Sequence, residues 1–188
     1  MPNVYRTMRS KAKARWDSQP RFADSAGAYT RLEMTAEREK LIQALQQAMK
    51  RGGERAIVLW EIADLIRPHG AFRWVGLYDV DYAAGMVRNI VWSGPGAPEY
   101  PTFPISKGLT GSAIAERRLI NVADVTRDPR YLRAFESTRS EIIVPIFDRQ
   151  GRQVVGTLDV ESQIVNAFGA KTQELLQECA RMIQPLWS

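Results

Sequence analysis

Three carboxylates, Glu141, Asp159 and Glu161, and two aromatic residues, Trp74 and Tyr78, have the types and spacing to do chemistry in this 188-residue chain. Alternate residues of a strand share a face. Asp159 and Glu161 therefore lie together, as do Trp74, Gly76 and Tyr78. A turn at Asp148-Arg149-Gln150-Gly151 folds the strand opened by Glu141 back against the strand carrying Asp159. Carboxylates gathered beside π-faces offer charge-assisted acceptors and cation–π contacts to a small cationic or amine-bearing molecule. The opposing reading leaves the acids exposed at strand ends and the rings in the sheet core. Glu141 and Asp159 could also divide as acid and base, but no further group marks a substrate for them.

The rest of the composition removes most other chemistry. The chain has one cysteine, Cys179, and one histidine, His69. Structural zinc takes about four Cys/His ligands and catalytic zinc about three, so no metal site is expected. One thiol makes no internal disulfide, and a haem or bilin would need an axial His or linking Cys in the pocket, so no cofactor is expected either. Ser112 and Ser140 have no histidine placed to activate them. Gly108-Leu109-Thr110-Gly111 precedes a helix but lacks the spacing and lysine of a phosphate-binding loop, and packing of the helix start accounts for it. His69 follows a helix-ending proline and reads as a surface or cap residue, and Cys179 as a buried structural thiol.

The formal charge of +5 belongs to one end. Residues 1–22 hold six basic residues against Asp17, which accounts for all of it and leaves 20 basic and 20 acidic groups in balance. Such a basic arm could touch a phosphate backbone or an acidic partner, and is otherwise a solvated leader. Residues 1–22 lack an apolar core segment, so no secretory leader is expected, and no run approaches ~18 apolar residues. A reduced, cytoplasmic protein without a membrane span is the expectation.

The elements that must position the acids are legible from periodicity. Residues 1–34 read as the basic arm and a small polar joint, and residues 35–188 as one domain. A helix capped by Thr35 carries Leu41, Ile42, Leu45 and Met49 on one face, and a second runs from Glu54 to Arg67. Strands follow at Phe72–Val80 and Met86–Trp92, the latter with Met86, Arg88, Ile90 and Trp92 on one face. A short strand at Thr102–Ile105, a short helix at Leu109–Arg117 and a brief strand at Leu119–Val122 precede a polar stretch to Ser140. Two strong strands, Glu141–Phe147 and Gln153–Glu161, form a hairpin, and an amphipathic helix spans Phe168–Ile183. Hairpins dominate, so the expected class is α+β: a central antiparallel sheet with the terminal helices on one face and a loop-rich lid, Trp92 to Ser140, on the other.

Four stretches carry a resemblance: Trp74-Val75-Gly76-Leu77-Tyr78, Lys107-Gly108-Leu109-Thr110-Gly111-Ser112-Ala113, Ser140-Glu141-Ile142-Ile143-Val144-Pro145-Ile146, and Gly156-Thr157-Leu158-Asp159-Val160-Glu161-Ser162. Over about 130 residues the chain resembles a GAF domain, of the PAS/GAF/profilin-like kind, and within that superfamily the free methionine-(R)-sulfoxide reductase branch. The resemblance implies that Trp74, Tyr78, Glu141, Asp159 and Glu161 line a small-molecule site. Trp92, Thr110 and Tyr131 complete the candidate set.

The departure from that branch decides the expected function. The reductases attack a sulfoxide with one thiol and resolve the product with another. Thr110 and Ala134 stand where the resemblance places those cysteines, and a threonine hydroxyl is no thiolate at neutral pH. The expectation is a non-enzymatic module that binds or senses a small, amine-bearing or amino-acid-like metabolite and signals through a homodimer or partner contact. A diverged reductase, or another enzyme acting on a free amino acid, is the alternative. A third reading is an adaptor whose basic arm binds nucleic acid or an acidic protein.

Overall fold

The computed structural model describes the backbone of residues 31–187 and the side chains from Ala36 onward. Residues 1–30 of the basic arm and polar joint lie outside the described residues, and residues 31–34, expected in the joint, are helical instead. Helix α1 (Arg31–Arg51) and α2 (Arg55–Ile66) precede the hairpin β1 (Trp74–Asp81) and β2 (Met86–Ser93). Then come β3 (Thr102–Pro104), α3 (Gly108–Glu116) and β4 (Ile120–Val122), the hairpin β5 (Ser140–Phe147) and β6 (Val154–Ser162), and α4 (Ala170–Ile183). The strands make one antiparallel sheet in the order β3-β2-β1-β6-β5-β4. This is the expected α+β architecture, a curled six-stranded sheet with helices.

Period-two alternation sorts the side chains. Val75 and Leu77 of β1, Ile142, Val144 and Ile146 of β5, and Leu158 and Val160 of β6 face α1, α2 and α4. There they bury against Leu41, Leu45, Leu59, Ile62, Ile66, Leu176 and Ile183. Trp74, Gly76, Tyr78, Glu141, Ile143, Asp159 and Glu161 take the opposite face. That face is covered in two patches, one around Trp74, Tyr78, Val87 and Phe103 and one around Leu109, Ala113, Ile120 and Ile143. Pro145, within the long strand β5, is tolerated because β4 pairs only with residues 141–143 and leaves the backbone beyond without a partner on that side.

Three expectations are corrected. Thr35 does not cap α1, which already begins at Arg31. Phe168 does not start the last helix: it stacks on Phe72 with ring centroids 5.8 Å apart, and its carbonyl accepts from Asn121 Nδ2 and Gln173 Nε2 ahead of Ala170. The single face proposed for Met86, Arg88, Ile90 and Trp92 is broken. Leu77 pairs with Val91 but Tyr78 pairs with Asn89, so Ile90 is the extra residue of a bulge. Ile90 consequently packs on the helix side, while Trp92 packs on the other.

Candidate functional site

The register of three central strands builds the site. Glu141 of β5 lies directly across from Glu161 of β6, which lies directly across from Trp74 of β1. One step along, Asp159 lies between Ile143 and Gly76. The strands thus set three carboxylates side by side on one face, beside an aromatic residue. All three are buried: Glu141 is 8%, Asp159 3% and Glu161 2% exposed. The reading that puts them in solvent at strand ends is overturned, because α3 and the loops around it cover this end of the sheet.

Each acid has a distinct setting. Thr110, in the first turn of α3, donates its hydroxyl to Asp159 Oδ2 at 2.9 Å. Asp159 Oδ1 is buried with no partner at hydrogen-bonding geometry among the described residues. Thr138 donates its hydroxyl to Glu161 Oε2. Burial raises the Asp159 carboxyl to about 7, against the pull of the Thr110 hydroxyl bonded to it and of the Thr157 hydroxyl, which lies nearby without hydrogen-bonding geometry. Burial likewise raises Glu161 to about 7, with the Thr138 hydroxyl and the Arg73 charge opposing it and Asp159 adding to it. Glu141 is driven well above the ordinary carboxylate range by burial first, then by the charges of Glu161 and Asp159. Three carboxylates this close in a low-dielectric setting do not all ionise unless positive charge joins them.

A cavity of about 30 Å³ opens onto these groups, room for a water-sized group. Of the candidate residues, Tyr78, Thr110, Glu141, Asp159 and Glu161 line it. Trp74 does not: its ring lies over Gly76, where an added Cβ would come within 2.0 Å of it, and its Nε1 donates to the Gly96 carbonyl at 3.1 Å. Trp74 instead buttresses Tyr78, with ring centroids 6.3 Å apart. Trp92 packs half-buried in the same apolar patch. Tyr131 is half-buried against the patch around Leu109, and burial, followed by the charge of Glu161, pushes its hydroxyl up to about 12.

The cavity's other walls come from the expected lid, Trp92 to Ser140, within which no sequence signal singled out these residues. Pro98, Tyr100 and Phe103 come from the β2–β3 connection and β3, and Leu132 and Ala134 from the loop before β5. Phe135, next to them, packs its ring tilted against Trp74, with centroids 5.8 Å apart. These loop residues follow no period, and only the closed fold brings them to the acids. The lining thus holds three carboxylates and aromatic and aliphatic walls, and no Lys or Arg stands among its residues. A larger, shallow groove of about 610 Å³ runs along residues 121–130. It is open to solvent, and its Arg130 is engaged with Asp128, so it offers no comparable concentration of buried charge.

Cys179, the single thiol of the chain, lies on the opposite side of the sheet in the helix-facing core. Burial pushes it up to about 12. His69 is half-buried, and burial lowers its pKa. No helix among the described residues is long and apolar enough to cross a membrane.

Comparison with known proteins agrees with this geometry. Protein ZMO0507 of Zymomonas mobilis is 28% identical over 149 residues, 78% of this chain and 86% of that protein. The free methionine-R-sulfoxide reductase of Saccharomyces cerevisiae is 27% identical over 112 residues, 58% of this chain and 60% of the yeast protein. The X-ray structure of the free methionine-R-sulfoxide reductase of Neisseria meningitidis, in complex with its substrate, superposes with a TM-score of 0.74 at 26% identity. That match covers 88% of this chain and 95% of the reductase. The family model described as GAF domain matches residues 55–184, which takes in every strand and all of the acids. The chain belongs to the GAF domain family.

Proposed function

We propose that this GAF domain binds a small, positively charged amine between β1, β5, β6 and α3, and that it does so without chemical turnover. The observation that carries the reading is the trio Glu141, Asp159 and Glu161, buried on neighbouring strands in a lining without a basic side chain. An ammonium group supplies positive charge inside the cavity, where the lining has none and Arg73 acts on Glu161 alone from outside it. Each N–H then gains a charge-assisted acceptor. Tyr78, Phe103 and Tyr100 provide surfaces for an apolar remainder. Because the cavity is about 30 Å³, anything larger than a small cation enters only as the covering loops move, by differential affinity for closed and open states. Signalling through a second copy or a partner protein is the output we assign to that movement.

A second reading, reduction of a free oxidised amino acid, is favoured by the likeness to the yeast and Neisseria reductases. Thiol chemistry at the cavity would need sulfur there. Thr110 and Ala134 line it, and Cys179 sits across the sheet.

Native mass spectrometry of the purified chain separates the readings, together with a thiol-coupled assay on L-methionine-(R)-sulfoxide. A co-purified amine, or a saturable amine complex without turnover, supports the binding module. Turnover that survives Cys179→Ala overturns it.

A further inference from the structure

The loop from Asp128 to Arg139 forms a strap across the cavity. Its ends are pinned by backbone: Asp128 N–H donates to the Val125 carbonyl, Val125 N–H donates to the Arg139 carbonyl, and Arg139 N–H donates to the Ser162 carbonyl at 2.8 Å. Between them Leu132 closes on Gly108 and Phe135 packs its ring tilted against Trp74. Among the described residues, one side-chain hydrogen bond ties residues 131–138 to the sheet, that from Thr138 Oγ1 to Glu161. Its acceptor is a member of the acidic trio.

We propose that Thr138 latches this strap to Glu161, so that a cation seated among Glu141, Asp159 and Glu161 locks the strap shut. The inference rests on the amine-binding reading above. With the site empty, burial, Glu141 directly opposite and Asp159 on the same strand oppose charge on Glu161, and the Arg73 guanidinium favours it without cancelling them. The strap then hangs on an acceptor held toward neutrality. A cation between the acids relieves that opposition and leaves Glu161 charged. A charged acceptor makes roughly twice as strong a hydrogen bond with the hydroxyl. Ligand and latch favour the same ionised Glu161, so each strengthens the other, and the coupling is reciprocal. Thr138 acts here as a positioning residue, because it converts charge in the site into order in the loop above it.

Arg133 is exposed on the strap and provides a cleavage site for trypsin, which requires local opening. The experiment compares cleavage after Arg133 in the full chain, in Thr138→Val and in Thr138→Ser, each shown folded by circular dichroism. Each is run in millimolar n-propylammonium chloride and in matched potassium chloride. Without amine, Thr138→Val is cut at least about 5-fold faster than the parent, as loss of one hydrogen bond of about 1 kcal/mol implies, and Thr138→Ser is cut at the parent rate. The amine slows cleavage of the parent and Thr138→Ser but not of Thr138→Val. Cleavage of Thr138→Val at the parent rate overturns the latch. Equal slowing of all three by the amine overturns the coupling and leaves amine binding standing. No slowing of any, with no amine heat in calorimetry, overturns the coupling by removing its ligand.

Discussion

Glu141 and Glu161 face each other directly across the β5–β6 pair, both buried, with the Thr138 hydroxyl on Glu161 and no hydrogen bond to the Glu141 side chain among the described residues. Like charges placed opposite one another on antiparallel strands are destabilising, and burial sharpens the penalty. A fold that keeps this pair beside Asp159 accepts a cost that positive charge in the cavity relieves.

Replacing Glu141 by glutamine removes a charged acceptor and relieves the like-charge pair. Two opposite consequences are expected: amine affinity falls by at least about 1.5 kcal/mol, roughly 10-fold, while the ligand-free protein becomes more stable. Calorimetric titration and urea unfolding check the two. Loss of affinity with loss of stability would instead mark Glu141 as a structural residue.

Stability should depend on pH through the same acids. Asp159 and Glu161 are raised to about 7, whereas the unfolded chain releases these protons near 4. Between those values the folded state holds more protons than the unfolded state, so stability falls as pH rises from about 4 to about 7. Thermal unfolding across that range should show the decline, and Asp159→Asn should flatten it. A rising curve that Asp159→Asn leaves unchanged contradicts the burial-driven shift.

Gly76 is a steric requirement of the site. A Cβ there meets the Trp74 ring at 2.0 Å, and the ring is already held by Phe135 and by the Gly96 carbonyl. Gly76→Ala should cost about 1–3 kcal/mol of stability, the usual penalty of overpacking, and abolish amine binding by displacing Trp74 against Tyr78. Denaturant unfolding and calorimetry report on each.

Cys179 is expected to be inert. Its thiol, at about 12 and fully enclosed by the helix-facing core, should resist a disulfide exchange reagent until the protein unfolds. Cys179→Ala should cost on the order of 1–2 kcal/mol through the cavity left behind and leave amine affinity unchanged. Prompt labelling of the native thiol contradicts this placement.

How far the sequence reached follows from which physical signals are local. Alternation in Trp74–Tyr78 and Leu158–Glu161, with the Asp148–Gly151 turn between the last two strands, places the acids on one face and near one another, because strand period and hairpin register are short-range properties. The bulge at Ile90 is not short-range: it answers to the pairing of Leu77 and Tyr78 on the neighbouring strand, so alternation along β2 misassigned the faces. Trp74 was legible as aromatic and inward-facing, but its role as a buttress rather than a wall depends on Gly76 and Gly96. Pro98, Tyr100, Leu132, Phe135 and Thr138 lie in loops without period, and nothing but tertiary closure brings them to the cavity. A lid from Trp92 to Ser140 is expected over this face, but burial of the acids stays open at that level, since a strand end is covered or exposed according to what α3 and the strap do above it.

The central claim is that this cavity takes up positive charge because its three acids need it. Calorimetric titration of n-propylammonium, L-methionine and L-methionine sulfoxide into the purified chain at pH 6.5, in two buffers of different ionisation heat, tests it most directly. A saturable 1:1 isotherm for an ammonium-bearing ligand, with protons released from the Asp159 and Glu161 carboxyls as it binds, is the expected result. Absence of saturable heat from every amine, or binding with no proton release and no loss of affinity in Glu141→Gln, would contradict it.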